Sequence, residues 1–294
     1  MRKVYLPDNF NEKKEFWDKV WSRCFIEDML SEVETNFMKP IFSRFFSRTG
    51  RILEGGCGLG KYVICYRRKG YDIEGVDFST EAVKKAKEYD PSLPVKQGNL
   101  SSLGYKDNYF NAYFSGGVIE HYEDSAEPIL KEARRVLKED GVFIITVPYI
   151  NLKKRIEDLL WFTILRKKKR ILSGESSNSH LYCLTGGCNQ DLKPYINWRF
   201  HQYEYKRSEI VKILCGNGFH PIYIQPVQVN WNLRKIFRIA DLVKNADKAV
   251  KPGPLNLIKT HLLCEDEPNF LSRCLMRFLG LLFANQIAIV CKKG

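Results

Sequence analysis

The chain has 294 residues, 44% hydrophobic and 28% charged, the make-up of a globular protein with a sizeable core rather than a disordered or fibrous chain. Its formal charge of +13 fits an anionic partner (nucleic acid, acidic membrane or phosphorylated substrate) or simply a basic surface. Nine cysteines without a paired framework argue against a disulfide-built secreted domain, and Met1 to Pro7 soon turns polar, so a cytoplasmic protein without a secretory leader is expected.

Residues 10–47 read as helical, with Phe, Trp, Ile and Leu among charges and Pro40 breaking the pattern. A helical cap over 1–48 is expected at the active end of whatever follows. An alternation of short apolar runs and helical stretches then begins. Strands are expected at 51–55, 72–77, 94–98, 109–115 and 142–147, with helices at about 60–69, 80–89 and 125–138. Gly70 ends the first of these helices, Ser79 caps the second and Asp90-Pro91 closes it. Glu139-Asp140-Gly141 should turn the chain into the fifth strand. Apolar runs without strict alternation suit strands buried on both faces of a parallel sheet.

From Pro148 to about residue 200 the pattern breaks down. A helical piece at 152–172 ends in the basic run Arg166 to Arg170, and a Gly/Ser/Asn-rich loop follows. A helix at 207–216 and a strand at about 220–228 come next, then a mostly helical stretch over 229–284 and a last strand at 286–291. The whole chain, 1–294, is thus expected to be a single domain with helical insertions at 149–205 and 229–284. The charge-free run 278–291 holds 14 residues, short of the roughly 20 a spanning helix needs, so no transmembrane segment is expected. No metal-ligand spacing is present: Cys183 and Cys188 flank Leu-Thr-Gly-Gly with no partner pair.

The chemistry is concentrated in the first half. Glu54-Gly55-Gly56-Cys57-Gly58-Leu59-Gly60-Lys61 ends an apolar run on a carboxylate and opens into a glycine loop before a helix. Doubly wound proteins hold nucleotide-like cofactors on such a loop, with a second acidic residue about 20 positions on for the ribose hydroxyls. Asp77 stands there. Lys61 occupies the place of the third glycine in the dinucleotide fingerprint, and Glu54 would repel a pyrophosphate, so a dehydrogenase is disfavoured.

The spacing from Glu54 to Gly60 resembles the first motif of the class I S-adenosylmethionine-dependent methyltransferases. Further segments carry the resemblance in order: Asp77-Phe78-Ser79, Gly98-Asn99-Leu100, Ser115-Gly116-Gly117-Val118-Ile119-Glu120-His121, and Arg135 to Gly141. It is closest to the methyltransferase type 11 or ubiquinone-biosynthesis-like group, over residues 50–150, and more loosely over 200–225 and 285–292. The resemblance implies an α/β, Rossmann-like, doubly wound sheet of seven strands in the order 3-2-1-4-5-7-6, the last antiparallel. It implies S-adenosylmethionine as cofactor. Glu54 and glycines 56, 58 and 60 would cradle its amino-acid end, with Ser115 and Gly116 lining the methionine side. Asp77, in the matched Asp77-Phe78-Ser79 segment that also supplies Ser79 to the cofactor site, would accept the ribose hydroxyls, Phe78 would stack on adenine, and Asn99 with Leu100 would meet the adenine edge.

The implied reaction is methyl transfer to a small-molecule or lipid- or glycan-linked acceptor, at oxygen. His121, at the ligand end of the fourth strand, is a candidate base. His201 and Tyr203, in Phe200-His201-Gln202-Tyr203-Glu204-Tyr205, are candidates to face the acceptor. His180, His220 and His261 read as ordinary histidines. A single proline at Pro148-Tyr149, after the fifth strand instead of the fourth, argues against amino methylation of DNA. An RNA methyltransferase and a non-catalytic cofactor-binding protein stay as alternatives, and no RNA-binding motif supports the first. The basic, apolar stretches 156–172, 231–239 and 270–283 suit either a lid over the acceptor or peripheral contact with an anionic membrane.

Overall fold

The computed structural model describes residues 1–7, 13–34, 37–160, 198–228 and 284–294. The basic run 166–170, the stretches 231–239 and 270–283, Cys183, Cys188, His180 and His261 lie outside the described residues. Contacts divide the chain into two units, one of 1–148, 178–224 and 288–294 and one of 149–177 and 225–287.

The first unit is built on a seven-stranded sheet. Its strands are β2 (Arg51–Gly55), β3 (Asp72–Asp77), β4 (Val95–Gln97), β5 (Phe110–Gly116), β6 (Leu137–Pro148), β8 (Phe219–Val227) and β9 (Gln286–Lys293), in the order β4-β3-β2-β5-β6-β9-β8. Counted within the sheet, that is 3-2-1-4-5-7-6, with the C-terminal strands making the antiparallel pair. β4, β3, β2, β5 and β6 are parallel neighbours. Ile52, Leu53, Ile73, Val76, Tyr113, Phe143 and Ile144 are buried, as expected of strands covered on both faces. The order reverses between β2 and β5, and open α/β sheets bind ligands outside the carboxyl ends of their strands at that point.

Each helix begins or ends where local chemistry dictates. α4 (Lys61–Arg68) starts after Gly60, and Gly70, at φ +84°, follows its C-cap. α5 (Thr80–Tyr89) is capped by the Ser79 hydroxyl, which accepts the Ala82 N–H at 3.1 Å. α6 (Glu127–Val136) carries Pro128 in its first turn, where the missing N–H costs nothing. The expected turn at 139–141 lies inside one strand: Phe110 pairs with Leu137 and Ala112 with Val142, so residues 138–141 bulge opposite Asn111.

Three helices precede the sheet: α1 (Lys13–Ser22), α2 (Ile26–Glu34) and α3 (Lys39–Phe45). α3 starts with Pro40 in its first turn, so this proline opens a helix and the break precedes it. Phe42 of α3 is fully buried, stacked on Phe46 at 4.3 Å and edge-on to Tyr62, Tyr66 and Phe114. α3 therefore shares the core of the sheet.

A two-stranded antiparallel ribbon was absent from the expected elements. β1 (Arg2–Pro7) pairs with β7 (Trp198–Glu204), from Arg2 opposite Glu204 to Pro7 opposite Trp198. Arg2 also forms an ion pair with the buried Glu204 carboxylate, with Nε at 2.8 Å. α8 (Arg207–Gly216) follows it. In the second unit, α7 (Leu152–Leu160) begins at Asn151, whose side chain accepts the Lys154 N–H and donates to the Ala284 carbonyl. Among the described residues, no helix is long and apolar enough to cross a membrane.

Candidate functional site

At the carboxyl ends of β2, β3, β4 and β5 the first unit holds a cavity of about 770 Å³. This lies within the roughly 300–1,000 Å³ of small-molecule sites. Gly56, Asp77, Phe78, Asn99, Leu100 and His121 of the expected set line it, together with Gln97, Gly98, Ser101, Gly117, Val118 and Tyr122. Lys14, Trp17 and Trp21 of α1 complete the wall. Glu54, Gly58, Gly60, Ser79, Ser115, Gly116, His201 and Tyr203 are not on that wall.

The glycine loop is held from both sides. Gly56 and Gly58 have φ of +78° and +53°, the left-handed region that side chains with a Cβ rarely adopt. The Gly56 and Cys57 N–H groups donate to the Val76 carbonyl, which ties the loop to β3. Asp77, the last residue of β3, reaches back: its Oδ2 accepts the Gly58 N–H at 2.7 Å and its Oδ1 the Ser79 N–H at 2.9 Å. Only 4% exposed, the carboxyl has its pKa raised, because burial outweighs the stabilising N–H groups. Tyr122 faces the same cavity, and its phenol is raised by burial first and Asp77 second.

Phe78 is the apolar surface of this wall, 36% exposed where most rings of the fold are covered. Gln97 braces it, donating from Nε2 to the Phe78 carbonyl and to Thr80 Oγ1. Asn99 differs from the expected picture in one respect. Its Oδ1 accepts both the N–H and the hydroxyl of Ser101, at 3.0 and 2.8 Å, so the oxygen meant for a ligand's amino group is turned into a local Asx turn.

Two carboxyls around the site are buried without full pairing. Glu54 at the end of β2 is 3% exposed and Glu120 is 2% exposed. One oxygen of each, with Ser115 Oγ, has no hydrogen-bond partner among the described residues. Burial pushes both carboxyls up from 4.5 to about 8, against Lys61 and the Val63 N–H for Glu54 and backbone N–H groups for Glu120. A folded state that holds these protons more tightly than the unfolded chain loses stability as pH rises from about 4.5 toward 8, then levels off. The ligand-free protein is thus expected to melt at progressively lower temperature across that window, and Glu120→Gln should flatten the fall. Equal slopes for wild type and variant would contradict the burial account.

His121 ends a short 3-10 turn, Ile119–His121. Its Nδ1 lies 2.8 Å from the His201 carbonyl oxygen, which only accepts, so in the neutral ring Nδ1 carries the proton and Nε2 the basic lone pair. Trp17 and His201 meet the ring edge-on, each at 4.9 Å between centroids. His201 is itself half-buried, which lowers its pKa. The Tyr203 hydroxyl donates to the Glu123 carbonyl at 2.8 Å. In this structure β7 therefore braces the segment 119–123 through His201 and Tyr203. Sequence reasoning passed over Lys14, Trp17 and Trp21; their spacing of three and four on one helix was the available signal.

The chain is similar to known methyltransferases. A family model described as a methyltransferase domain matches residues 53–145. A malonyl-[acyl-carrier protein] O-methyltransferase of Hamiltonella defensa is 28% identical over 120 residues, 39% of this chain and 46% of that protein. An uncharacterised protein of Methanocaldococcus jannaschii is 29% identical over 160 residues, 54% of this chain and 58% of that protein. The chain thus spans about half the length of the curated relatives it matches. The structure of Haemonchus contortus phosphoethanolamine N-methyltransferase 2 with S-adenosyl-L-methionine superposes with a TM-score of 0.53 at 16% identity, covering 98% of this chain and 61% of that one. At that identity the likeness is one of fold. The fold, with the methyltransferase-domain match over residues 53–145, supports a class I S-adenosylmethionine-dependent methyltransferase, a family whose cofactor is S-adenosylmethionine.

Proposed function

We propose that the chain methylates an oxygen of a small-molecule or lipid- or glycan-linked acceptor, using S-adenosylmethionine. The observation that carries this reading is Asp77, a buried carboxylate on the cavity wall held by the Gly58 and Ser79 N–H groups. The fit to the cofactor is chemical. Asp77 offers two acceptor oxygens to a pair of ribose hydroxyls, and Phe78 offers an exposed face to a purine. Asn99, with its oxygen engaged by Ser101, would present its amide N–H groups instead, and Leu100 would bound the same edge. The partnerless oxygen of Glu54 suits the ammonium of an amino-acid end, with Gly56, Gly58 and Gly60 keeping the backbone close. Ser115 and Gly116 at the end of β5 would line the methionine side.

When bound, the cofactor supplies an electrophilic methyl carbon on a cationic sulfur. The protein's own part is to fix the acceptor and hold its proton. His121 would take that proton: it lines the cavity, and with Nδ1–H on the His201 carbonyl the basic nitrogen of its neutral ring is Nε2. Trp17 and Val118 line the same cavity and would exclude water beside it. The oxygen class is also that of the malonyl-[acyl-carrier protein] O-methyltransferase relative, whose name specifies O-methylation.

The test is release of S-adenosylhomocysteine over a panel of carboxylic acids, phenols, polyprenyl-linked glycans and RNA. Turnover on hydroxyl or carboxyl acceptors is expected, and His121→Gln should lower kcat roughly 10²–10⁴-fold with little change in cofactor affinity. Methyl product on RNA alone would overturn the acceptor class, and an unchanged kcat in His121→Gln would remove the base.

A further inference from the structure

α1 is fastened to α5 by two charged side chains, Lys85 and Asp18. The Lys85 ammonium donates to the carbonyls of Trp21, Ser22 and Cys24, at 3.1, 3.0 and 2.7 Å, and so caps the C-terminal end of α1. Asp18, one turn earlier, accepts at Oδ1 from the Ser79 hydroxyl and from the Glu81 N–H at 3.2 Å. That carboxylate sits on the N-terminus of α5, where a negative charge is favoured. Ser79 also donates its backbone N–H to Asp77, so one residue touches both the cavity carboxylate and the carboxylate of α1.

The fastened helix closes on the site. Lys14, Trp17 and Trp21 line the cavity. The Trp21 indole lies directly on the glycine loop: a Cβ added at Gly58 would meet its Cη2 and Cζ2 at 2.6 Å. Trp17 packs edge-on to His121, and Phe16 meets His201 at 5.6 Å. One of the two anchors, Asp18, falls on Ser79, the residue that also donates to Asp77.

We infer that Lys85 and Asp18 are positioning residues that latch α1 over the cavity, so that the cofactor or its product leaves only when this helix lets go. The inference rests on the S-adenosylmethionine reading of the cavity. Ser79 links the two: orienting Asp77 for ribose also presents the hydroxyl and the α5 terminus to Asp18.

The test pairs stopped-flow dissociation of S-adenosylhomocysteine with amide hydrogen exchange across 13–22 in the full chain. Lys85→Met keeps the aliphatic stem and removes the charge. Loss of a charge-assisted contact is worth roughly 10–100-fold, and that factor is expected both in faster product dissociation and in weaker amide protection of α1. Association should change less. Asp18→Ala attacks the latch from the other helix and should act in the same direction, whereas Asp18→Asn, which keeps an acceptor oxygen, should recover most of the loss. Weaker protection with unchanged dissociation would show that α1 does not gate the site. Unchanged protection in both Lys85→Met and Asp18→Ala would show that these residues do not hold it. A wild-type protein that binds no S-adenosylhomocysteine would overturn the cofactor reading and the gate with it, while the exchange experiment would still decide the latch.

Discussion

Asp77→Ala is expected to raise the dissociation constant for S-adenosylhomocysteine roughly 10²–10⁴-fold, the worth of two hydrogen bonds to a charged acceptor. The carboxylate is already oriented by the Gly58 and Ser79 N–H groups, so little ordering is needed when hydroxyls arrive. Asp77→Asn retains the size and one acceptor and should fall between the two. Calorimetry reads the affinities, and far-UV circular dichroism checks that the glycine loop has not taken the fold with it. Alanine binding as tightly as wild type would mean that the ribose lies elsewhere.

Gly56→Val is expected to be the most damaging single change to the loop. Valine at φ +78° is strained by about 1–3 kcal/mol. Its Cβ would also stand 2.3 Å from Val118 Cγ2, an overpacking cost of about 1–3 kcal/mol. Val118 precedes the turn that carries His121, so the displacement spreads along the cavity wall. For a protein of this size the thermal midpoint should drop roughly 5–20 °C, with S-adenosylhomocysteine binding lost. A midpoint unchanged in scanning calorimetry would mean that the loop is softer than its hydrogen bonds to Val76 imply.

Much of the fold was legible because the first unit states it locally. β2, β3, α5 and α8 begin and end where expected, since each apolar run is punctuated by a glycine, a carboxylate or a capping serine. The sheet order was carried by the resemblance. The β1 and β7 ribbon was not legible: its partners are some 200 positions apart, and neither strand has an alternation that announces a mate. The turn at 139–141 was legible as a turn, but only pairing with β5 shows that it is a bulge within a strand.

The site divides in the same way. Residues whose place follows from a strand end, namely Gly56, Asp77, Phe78, Asn99 and His121, line one cavity. Those that depend on tertiary packing could not be placed from spacing. His201 and Tyr203 brace the His121 segment through a backbone carbonyl and a hydroxyl, in contacts that no motif encodes. Trp17, Trp21 and Lys85 act across α1 and α5, and Asn99 spends its oxygen on Ser101, a choice visible only once the loop is folded.

We propose the cavity at the ends of β2 to β5 as the S-adenosylmethionine site. Competitive calorimetry on the wild-type chain tests it most directly, titrating S-adenosylhomocysteine with and without excess NAD. The structure predicts one saturable site for S-adenosylhomocysteine, undisturbed by NAD, because Glu54 and Lys61 replace what a pyrophosphate would need. No binding of S-adenosylhomocysteine, or its displacement by NAD, would rule out this cavity as a methyl-donor site.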